Sequence, residues 1–296
     1  MKRIRLASIL TAVLLLTGCG AAPSSSSTAS PADTQPAETT AAALPAEETL
    51  TVTFLKCGKA DAMLLQTDTH AVVIDCGEKS DGSKMVDLLN AQGVETIDCM
   101  ILTHYDQDHI GGAAKVVKNF DVQEIIASDY EEVSSEYEKL TAAMADKDLT
   151  FTIPEDPLTF TVGDLLLEVY PHENAEYADG FDNNCSIVTK VTHGSNVLLF
   201  TGDAMQERLE EIMDIGTCDL LKVPYHGRSI DNLGTFLDAV KPTYAVISTS
   251  QDELASSTLE ALSSRKIVTY ATCLHGTVTA VSDGKSLTVT AEGLDT

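Results

Sequence analysis

Leu102–Gly112 reads Leu-Thr-His-Tyr-Asp-Gln-Asp-His-Ile-Gly-Gly. The apolar run Ile97–Leu102 leads into it, and His104, Asp106, Asp108 and His109 then fall within six positions. A buried run that stops at imidazoles and carboxylates marks a site at the carboxyl end of a sheet, where loops aim side chains at one point. Groups crowded this closely waste hydration or repel unless a cation unites them, so a divalent metal is the economical explanation. The local alternative is a strand-to-helix loop with Asp108 capping a helix that begins near Gly111. A cap accounts for one of the four residues.

Working outward, the chain before this stretch reads as short strands at Leu50–Leu55, Ala62–Gln66 and Ala71–Ile74, with a polar turn at Thr67–His70. Ser83–Ala91 has helical spacing with Met85, Leu88 and Leu89 on one face and Gly93 placed to stop it. Beyond it, Ala113–Phe120 reads as a helix, Val122–Ala127 as a strand and Ser134–Ala145 as a helix. The second half predicts hairpins around Gly163-Asp164 and His193-Gly194-Ser195. Ala204–Asp214 reads as an amphipathic helix, with Asp203 and Gln206 spaced as an N-cap pair. Strands at Asp219–Val223 and Tyr244–Ser248, helices at Leu233–Val240 and Ser257–Ser263, and three late strands complete the pattern. Hairpins interspersed with helices suggest an α+β chain whose sheets pack face to face with helices outside.

Six segments, in this order, resemble the ComEC-like hydrolase-domain branch of the metallo-β-lactamase superfamily. Phe54–Ala62 is similar to its opening motif, Val73–Gly77 to its second strand, and Leu102–Gly112 to its His-x-Asp-x-Asp-His signature. Asn183–Ser186 resembles its central Asn-x-Ser segment, Leu199–Asp203 its Thr-Gly-Asp, and Leu221–Gly227 its late histidine-glycine motif. The resemblance runs from Leu50 to about Val289. It implies an αββα four-layer sandwich with one or two divalent ions, zinc or manganese, at one edge. It implies that Asp108, His109, Asp203 and His226 hold one ion, and that His104 and Asp106 hold a second with Asp203 bridging. Asp106 makes that second position oxygen-rich and suited to manganese or magnesium.

The chain departs from the branch at three places. The superfamily's third histidine has no clear counterpart, with Asn183 or Asn184 nearest as a weak ligand or substrate contact. Tyr225 stands where the branch often has a histidine, and Lys59-Ala60 where it usually has Gln-Gly. Asp61 and Asp75 are expected behind the ligands, holding histidines by hydrogen bonds. Lys222 and Arg228 flank His226 and are candidates to meet a phosphate. His70 and His193 fall in turns and are expected to be exposed and inert. His172 lies in a long loop that could overhang the site, and His275 is expected to be structural.

The first eighteen residues carry three basic residues and an apolar run of roughly ten, a secretory signal too short to span a bilayer stably. Leu16-Thr17-Gly18-Cys19 resembles the bacterial lipobox, which implies cleavage before Cys19 and its lipidation. The expected address is the extracytoplasmic face of the cell membrane, reached through the lipid anchor alone. Residues 19–49 are rich in Ala, Ser, Thr and Pro, with no Lys or Arg, and read as a disordered tether. Residues 50–296 are the expected folded domain.

The formal charge of the whole sequence is −26. Without the signal, 16 basic residues face 45 acidic ones, or −29. Such a surface opposes tight, nonspecific nucleic-acid binding, which Lys and Arg contacts to phosphate usually lead. Six cysteines remain after Cys19, with no C-x-x-C pair, each in or beside an apolar run; buried free thiols are expected. The function these features imply is hydrolysis of a phosphodiester, in DNA, a small molecule or a cell-envelope polymer, with Asp106 or Asp108 orienting the attacking water. The alternative is a degenerate fold member that binds DNA or an envelope polymer without catalysis. No protein partner is implied.

Overall fold

The computed structural model describes residues 45–293. The expected signal, the expected lipobox with Cys19 and most of the expected tether lie outside the described residues. The first half contains the strands Leu50–Phe54 (β1), Ala62–Gln66 (β2), Ala71–Cys76 (β3), Thr96–Ile97 (β4), Cys99–Leu102 (β5), Asp121–Val122 (β6), Ile125–Ala127 (β7) and Phe151–Thr152 (β8). Its helices are Gly82–Ala91 (α1), Gln107–Ile110 (α2), Ala113–Asn119 (α3) and Ser135–Ala145 (α4). The second half contains Leu158–Val162 (β9), Leu165–Tyr170 (β10), Val188–His193 (β11), Asn196–Phe200 (β12), Leu220–Lys222 (β13), Tyr244–Ile247 (β14), Val268–Ala271 (β15), Val278–Ser282 (β16) and Leu287–Ala291 (β17). Its helices are Phe181–Asn184 (α5), Gln206–Glu211 (α6), Leu233–Val240 (α7), Ser256–Ser264 (α8) and Thr272–His275 (α9).

One sheet runs β17-β16-β1-β2-β3-β5-β7-β8, the other β15-β14-β13-β12-β11-β10-β9. The packing follows from strand periodicity. Along β5, Cys99 and Ile101 enter the core between the sheets, while Met100 and Leu102 enter the core under α1, α3 and α4. Along β12, Leu198 and Phe200 face the inter-sheet core and Leu199 faces the layer under α6, α7 and α8. Strands covered on both faces need unbroken apolar runs, which is why IDCMIL and NVLLF carry so little polarity. Phe54 and Phe200 meet across the two sheets with ring centroids 6.0 Å apart. The result is the expected α+β sandwich in four layers, αββα.

Two predicted strands are each broken in two. Ile97–Leu102 divides at Asp98, whose carboxylate accepts from the Ala71 amide at 2.9 Å, and β4 leaves the main sheet to pair with β6. Val122–Ala127 divides between β6 and β7 for the same reason. Of the six described cysteines, Cys57, Cys76, Cys99, Cys185 and Cys218 are buried free thiols and Cys273 is a half-buried one. Among the described residues, no helix is long and apolar enough to cross a membrane.

The glycine pair that closes the opening stretch is required by close packing. A Cβ on Gly112 would collide with the Cys76 carbonyl oxygen and lie 2.8 Å from the Gly82 Cα, backbone on every side. The Gly112 amide donates to the Gly77 carbonyl at 3.0 Å, so the helix start is pinned to the end of β3. Gly112→Ala is expected to destabilise the fold by about 1–3 kcal/mol, the usual cost of overpacking, and urea denaturation reads it directly.

Candidate metal centre

Four segments end at the same edge of the sandwich. The loop after β5 carries His104 and Asp106, and α2 carries Asp108 and His109. Asp203 follows β12, and His226 sits in the 3-10 turn Tyr225–Gly227 after β13. Neighbouring parallel strands pointing the same way deliver these carboxyl-end loops to one place: β3 pairs with β5, and β12 with β13. The His226 turn is backbone-specific, with φ of 50° at Tyr225 and 51° at His226. Pro224 sets the chain before it, and Gly227 at φ 74° completes the reversal.

His109 Nε2 and His226 Nε2 are 3.4 Å apart. Asp203 Oδ2 lies 3.0 Å from His226 Nε2, and Asp203 Oδ1 lies 3.5 Å from His109 Nε2. Asp108 Oδ2 is 3.4 Å from His226 Nε2. The other ring nitrogens are already engaged. His109 Nδ1 lies 2.8 Å from Asp75 Oδ2, and His226 Nδ1 lies 3.1 Å from the Ser248 carbonyl. Donation there fixes each tautomer and turns both Nε2 lone pairs inward. Two lone pairs facing each other between two carboxylates, all nearly or fully buried, are a donor set that a divalent cation satisfies. Asp203 Oδ1 has no hydrogen-bond donor, as such a site requires.

One atom each of Asp61, His109, Asp203 and His226 also lie within 4.8 Å of one another. Asp61 nonetheless stands on the occupied side of the rings, 3.9 Å from both Nδ1 atoms, and pairs with the Lys222 ammonium. Asp108, on the open side, is the better fourth donor. Asp75 lies in hydrogen-bonding reach of His109 Nδ1, and it also accepts from the Thr103 amide at 2.9 Å and hydroxyl at 2.7 Å. Asp61 does not; at 3.9 Å it is too far to hold a histidine, and it neutralises Lys222 instead.

The electrostatics are those of a site awaiting positive charge. Burial pushes His109 and His226 down, but the Asp203 carboxylate outweighs it, aided by Asp75 for His109 and Asp108 for His226. In the metal-free protein His109 therefore stands well above the usual imidazole range and His226 at about 9. Burial raises Asp108 and Asp203, yet the two imidazoles more than compensate and hold both far below the carboxylate range.

His104 is fully buried, and its Nε2 has no hydrogen-bond partner. It lies 3.6 Å from Asp106 Oδ2, so these two face one another as a second donor pair. The His109 ring packs against His104, centroids 4.0 Å apart, but its Nε2 faces His226 and Asp203 in the first donor set. Asn184 is no ligand: its carbonyl oxygen accepts from the Met205 amide at 3.0 Å and the Arg208 amide at 3.2 Å. It caps α6, and Asp203 does not, because α6 begins two residues later than the N-cap pattern required. The Asn183 amide nitrogen turns to the Met205 sulfur, 3.7 Å away. Asp182, which the sequence reading passed over, is near this pair. Burial raises its carboxyl, and so does the negative charge of Asp106.

Lys222 is not a solvated charge beside His226. It is fully buried, donates to the Gly202 carbonyl at 2.9 Å and approaches Asp203 Oδ1 at 3.7 Å. Arg228 pairs with Glu253, reaches the Tyr225 hydroxyl at 3.1 Å and lies 4.9 Å over the Tyr225 ring. Neither is free to meet substrate as folded. A third cation was missed as a site residue: Lys59 Nζ lies 2.9 Å from Asp108 Oδ2. Its departure from the branch pattern was the available signal.

The remaining histidines stand away from the centre. His193 is fully buried rather than exposed, with Nδ1 2.8 Å from the Ser282 hydroxyl of the other sheet. His70 is half-buried against Asp98 at 3.0 Å. His172 lies within hydrogen-bonding distance of the Asn174 and Asp129 carbonyls. His275 ends α9, its Nδ1 3.0 Å from the Ala271 amide.

An αββα sandwich whose edge carries such a His/Asp centre defines a metal-binding class of fold. Residues 55–251 match the family model described as the metallo-beta-lactamase superfamily, and the chain belongs to that superfamily. Curated relatives include a ComE operon protein, a recombination protein and a competence protein, in keeping with the ComEC-like branch. It is 28% identical to the ComE operon protein 3 of Bacillus subtilis over 57% of this chain and 22% of that protein. It is 28% identical to recombination protein 2 of Haemophilus influenzae over 68% of this chain and 24% of that one. The chain therefore spans about a quarter or less of these relatives' length. Among solved structures it is similar to the metallo-beta-lactamase fold protein YhfI of Bacillus subtilis, with TM-score 0.54 and 15% identity over 75% of this chain and 96% of that one. A solved protein of Parabacteroides distasonis gives TM-score 0.53 and 17% identity over 76% of this chain and 93% of that one. These two likenesses concern the fold.

Proposed function

We propose that the chain is a lipid-anchored, extracytoplasmic hydrolase of phosphodiester bonds. The observation that carries the reading is the convergence of Asp108 and Asp203 with His109 and His226, and of Asp106 with His104 beside them. A donor set with this many carboxylate oxygens favours harder ions and phosphoryl chemistry over lactam chemistry. Asp108, His109, Asp203 and His226 would hold a divalent ion such as zinc or manganese, which supplies a water of lowered pKa, near ~7, and a Lewis acid. His104 and Asp106 offer a second place.

The chain's own residues supply the rest. Asp75 and the Ser248 carbonyl hold the two imidazoles in one tautomer and orientation. Asp106, with 40% of its side chain exposed, is the carboxylate open to solvent and the one able to orient an attacking water. The His104 imidazole beside it holds its carboxyl below the usual range, so it is an ionised acceptor at neutral pH. Lys59 stands at the mouth with 38% of its side chain exposed, a cation able to meet charge developing on a phosphoryl group. The acidic balance of the chain supports a small phosphodiester or an envelope phosphoester over long DNA.

A second reading, a non-catalytic module that binds DNA or an envelope polymer, is favoured by one observation: Asn184 is committed to capping α6, so the second position lacks a third imidazole. Purified protein with manganese or zinc is expected to hydrolyse bis-p-nitrophenyl phosphate. Absence of turnover with every divalent ion, in protein that retains its fold, favours the binding module. Rapid nitrocefin hydrolysis instead would revive a lactamase reading.

A further inference from the structure

We propose that Lys59 is a metal-released phosphate-binding residue: it neutralises Asp108 until a cation takes that carboxylate, and then holds a phosphoryl oxygen of the substrate. The proposal deepens the phosphodiesterase reading and rests on it for the identity of the anion.

The argument begins in the loop between β1 and β2. Gly58, at φ 69°, turns the chain there, and Ala60 and Cys57 are buried beneath it. The Asp61 amide donates to the Asp108 carbonyl at 3.0 Å, which stitches this loop to the α2 segment. Two residues earlier, Lys59 is thereby fixed over Asp108, its ammonium 2.9 Å from Oδ2. The same Oδ2 lies 3.4 Å from His226 Nε2 and so faces the donor cluster. One carboxylate oxygen cannot keep an ammonium and serve a divalent cation without bringing two positive centres together. Lys59 must therefore give way when the centre is loaded.

It has somewhere to go. Its side chain is 38% exposed whereas that of Asp108 is 9% exposed, so the displaced ammonium swings toward the open mouth. The neighbouring cations are already committed: Lys222 is buried against Asp61 and the Gly202 carbonyl, and Arg228 is bound to Glu253 and Tyr225. Lys59 is thus the cation at this edge that loading sets free. In a chain of such negative charge, a cation at the mouth offsets the repulsion that an approaching phosphate meets. A lysine on a flexible stem suits the task, binding phosphate as a point charge.

The test uses Lys59→Gln and Lys59→Arg, both at an exposed loop position. Manganese affinity is measured by chelator competition, and inorganic phosphate is titrated calorimetrically into the manganese-loaded proteins. Lys59→Gln is expected to weaken phosphate binding about tenfold, one charge-assisted hydrogen bond, with manganese bound no less tightly than by the parent. Lys59→Arg is expected to restore most of the phosphate affinity. Unchanged phosphate affinity in Lys59→Gln, absence of phosphate binding by the loaded parent, or a parallel loss of manganese would overturn the proposal. Because phosphate binding needs no turnover, a parent protein that binds phosphate through Lys59 but hydrolyses nothing refutes the hydrolase reading and leaves this one standing.

Discussion

Asp108→Ala is expected to lower kcat/KM for a phosphodiester by roughly 10³-fold or more, which is ~4 kcal/mol of transition-state stabilisation. The side chain is the donor on the open side of His226, 3.4 Å from Nε2. Without it, the two imidazoles keep Asp203 as their one close carboxylate on that side. A three-donor remnant binds a divalent ion weakly, so bound metal counted by elemental analysis is expected to fall together with activity. The fold is expected to survive, because Asp108 is tied to the Asp61 amide through its backbone carbonyl, which alanine retains. Full activity in Asp108→Ala would remove this residue from the centre.

Lys222→Met is the substitution with the largest expected effect on stability. Asp61 and Lys222 are both fully buried and paired with each other. Burial pushes the Lys222 ammonium down, but Asp61 and Asp203 outweigh it and keep it charged. Removing the ammonium strands the Asp61 carboxylate in the interior beside Asp203, at a cost of about 3–5 kcal/mol. Adding Asp61→Asn removes the stranded charge, so the double variant is expected to recover a large part of the loss. Chemical denaturation of the parent, both single variants and the double variant gives the coupling energy. Additive losses would mean that the two side chains do not act as a pair.

Much of the fold was legible because its strands are covered on both faces. Such strands must be apolar throughout, and IDCMIL and NVLLF announce themselves without any partner in view. What escaped was decided by contacts between distant segments. His193 looked like a turn residue beside Gly194, yet it belongs to the end of β11, where Ser282 from the other sheet buries it. Asp203 carried the spacing of a helix cap, but Asn184, 21 residues before Met205, took that role and released the carboxylate to the centre. A local pattern cannot show that a cap arrives from elsewhere in the chain.

The centre divides in the same way. The segment order and the residue types of Leu102–Gly112, Leu199–Asp203 and Leu221–Gly227 pointed to one site before any coordinates, since imidazoles and carboxylates rarely crowd without a cation. The supporting charges were not legible. Lys222 and Arg228 read as candidates to meet a phosphate because lysine and arginine are seldom buried; the burial of Lys222 against Asp61, and the pairing of the partly exposed Arg228 with Glu253, come from contacts that the sequence does not display. Lys59 was visible as an unusual residue, but its place over Asp108 depends on a backbone hydrogen bond spanning two loops.

The central claim is that one divalent cation is held jointly by Asp108, His109, Asp203 and His226. Anomalous diffraction from crystals grown with manganese tests it most directly. The expected result is a peak within ~2.0–2.3 Å of donor atoms from all four residues; a fully loaded, active protein whose peak lies elsewhere would contradict it.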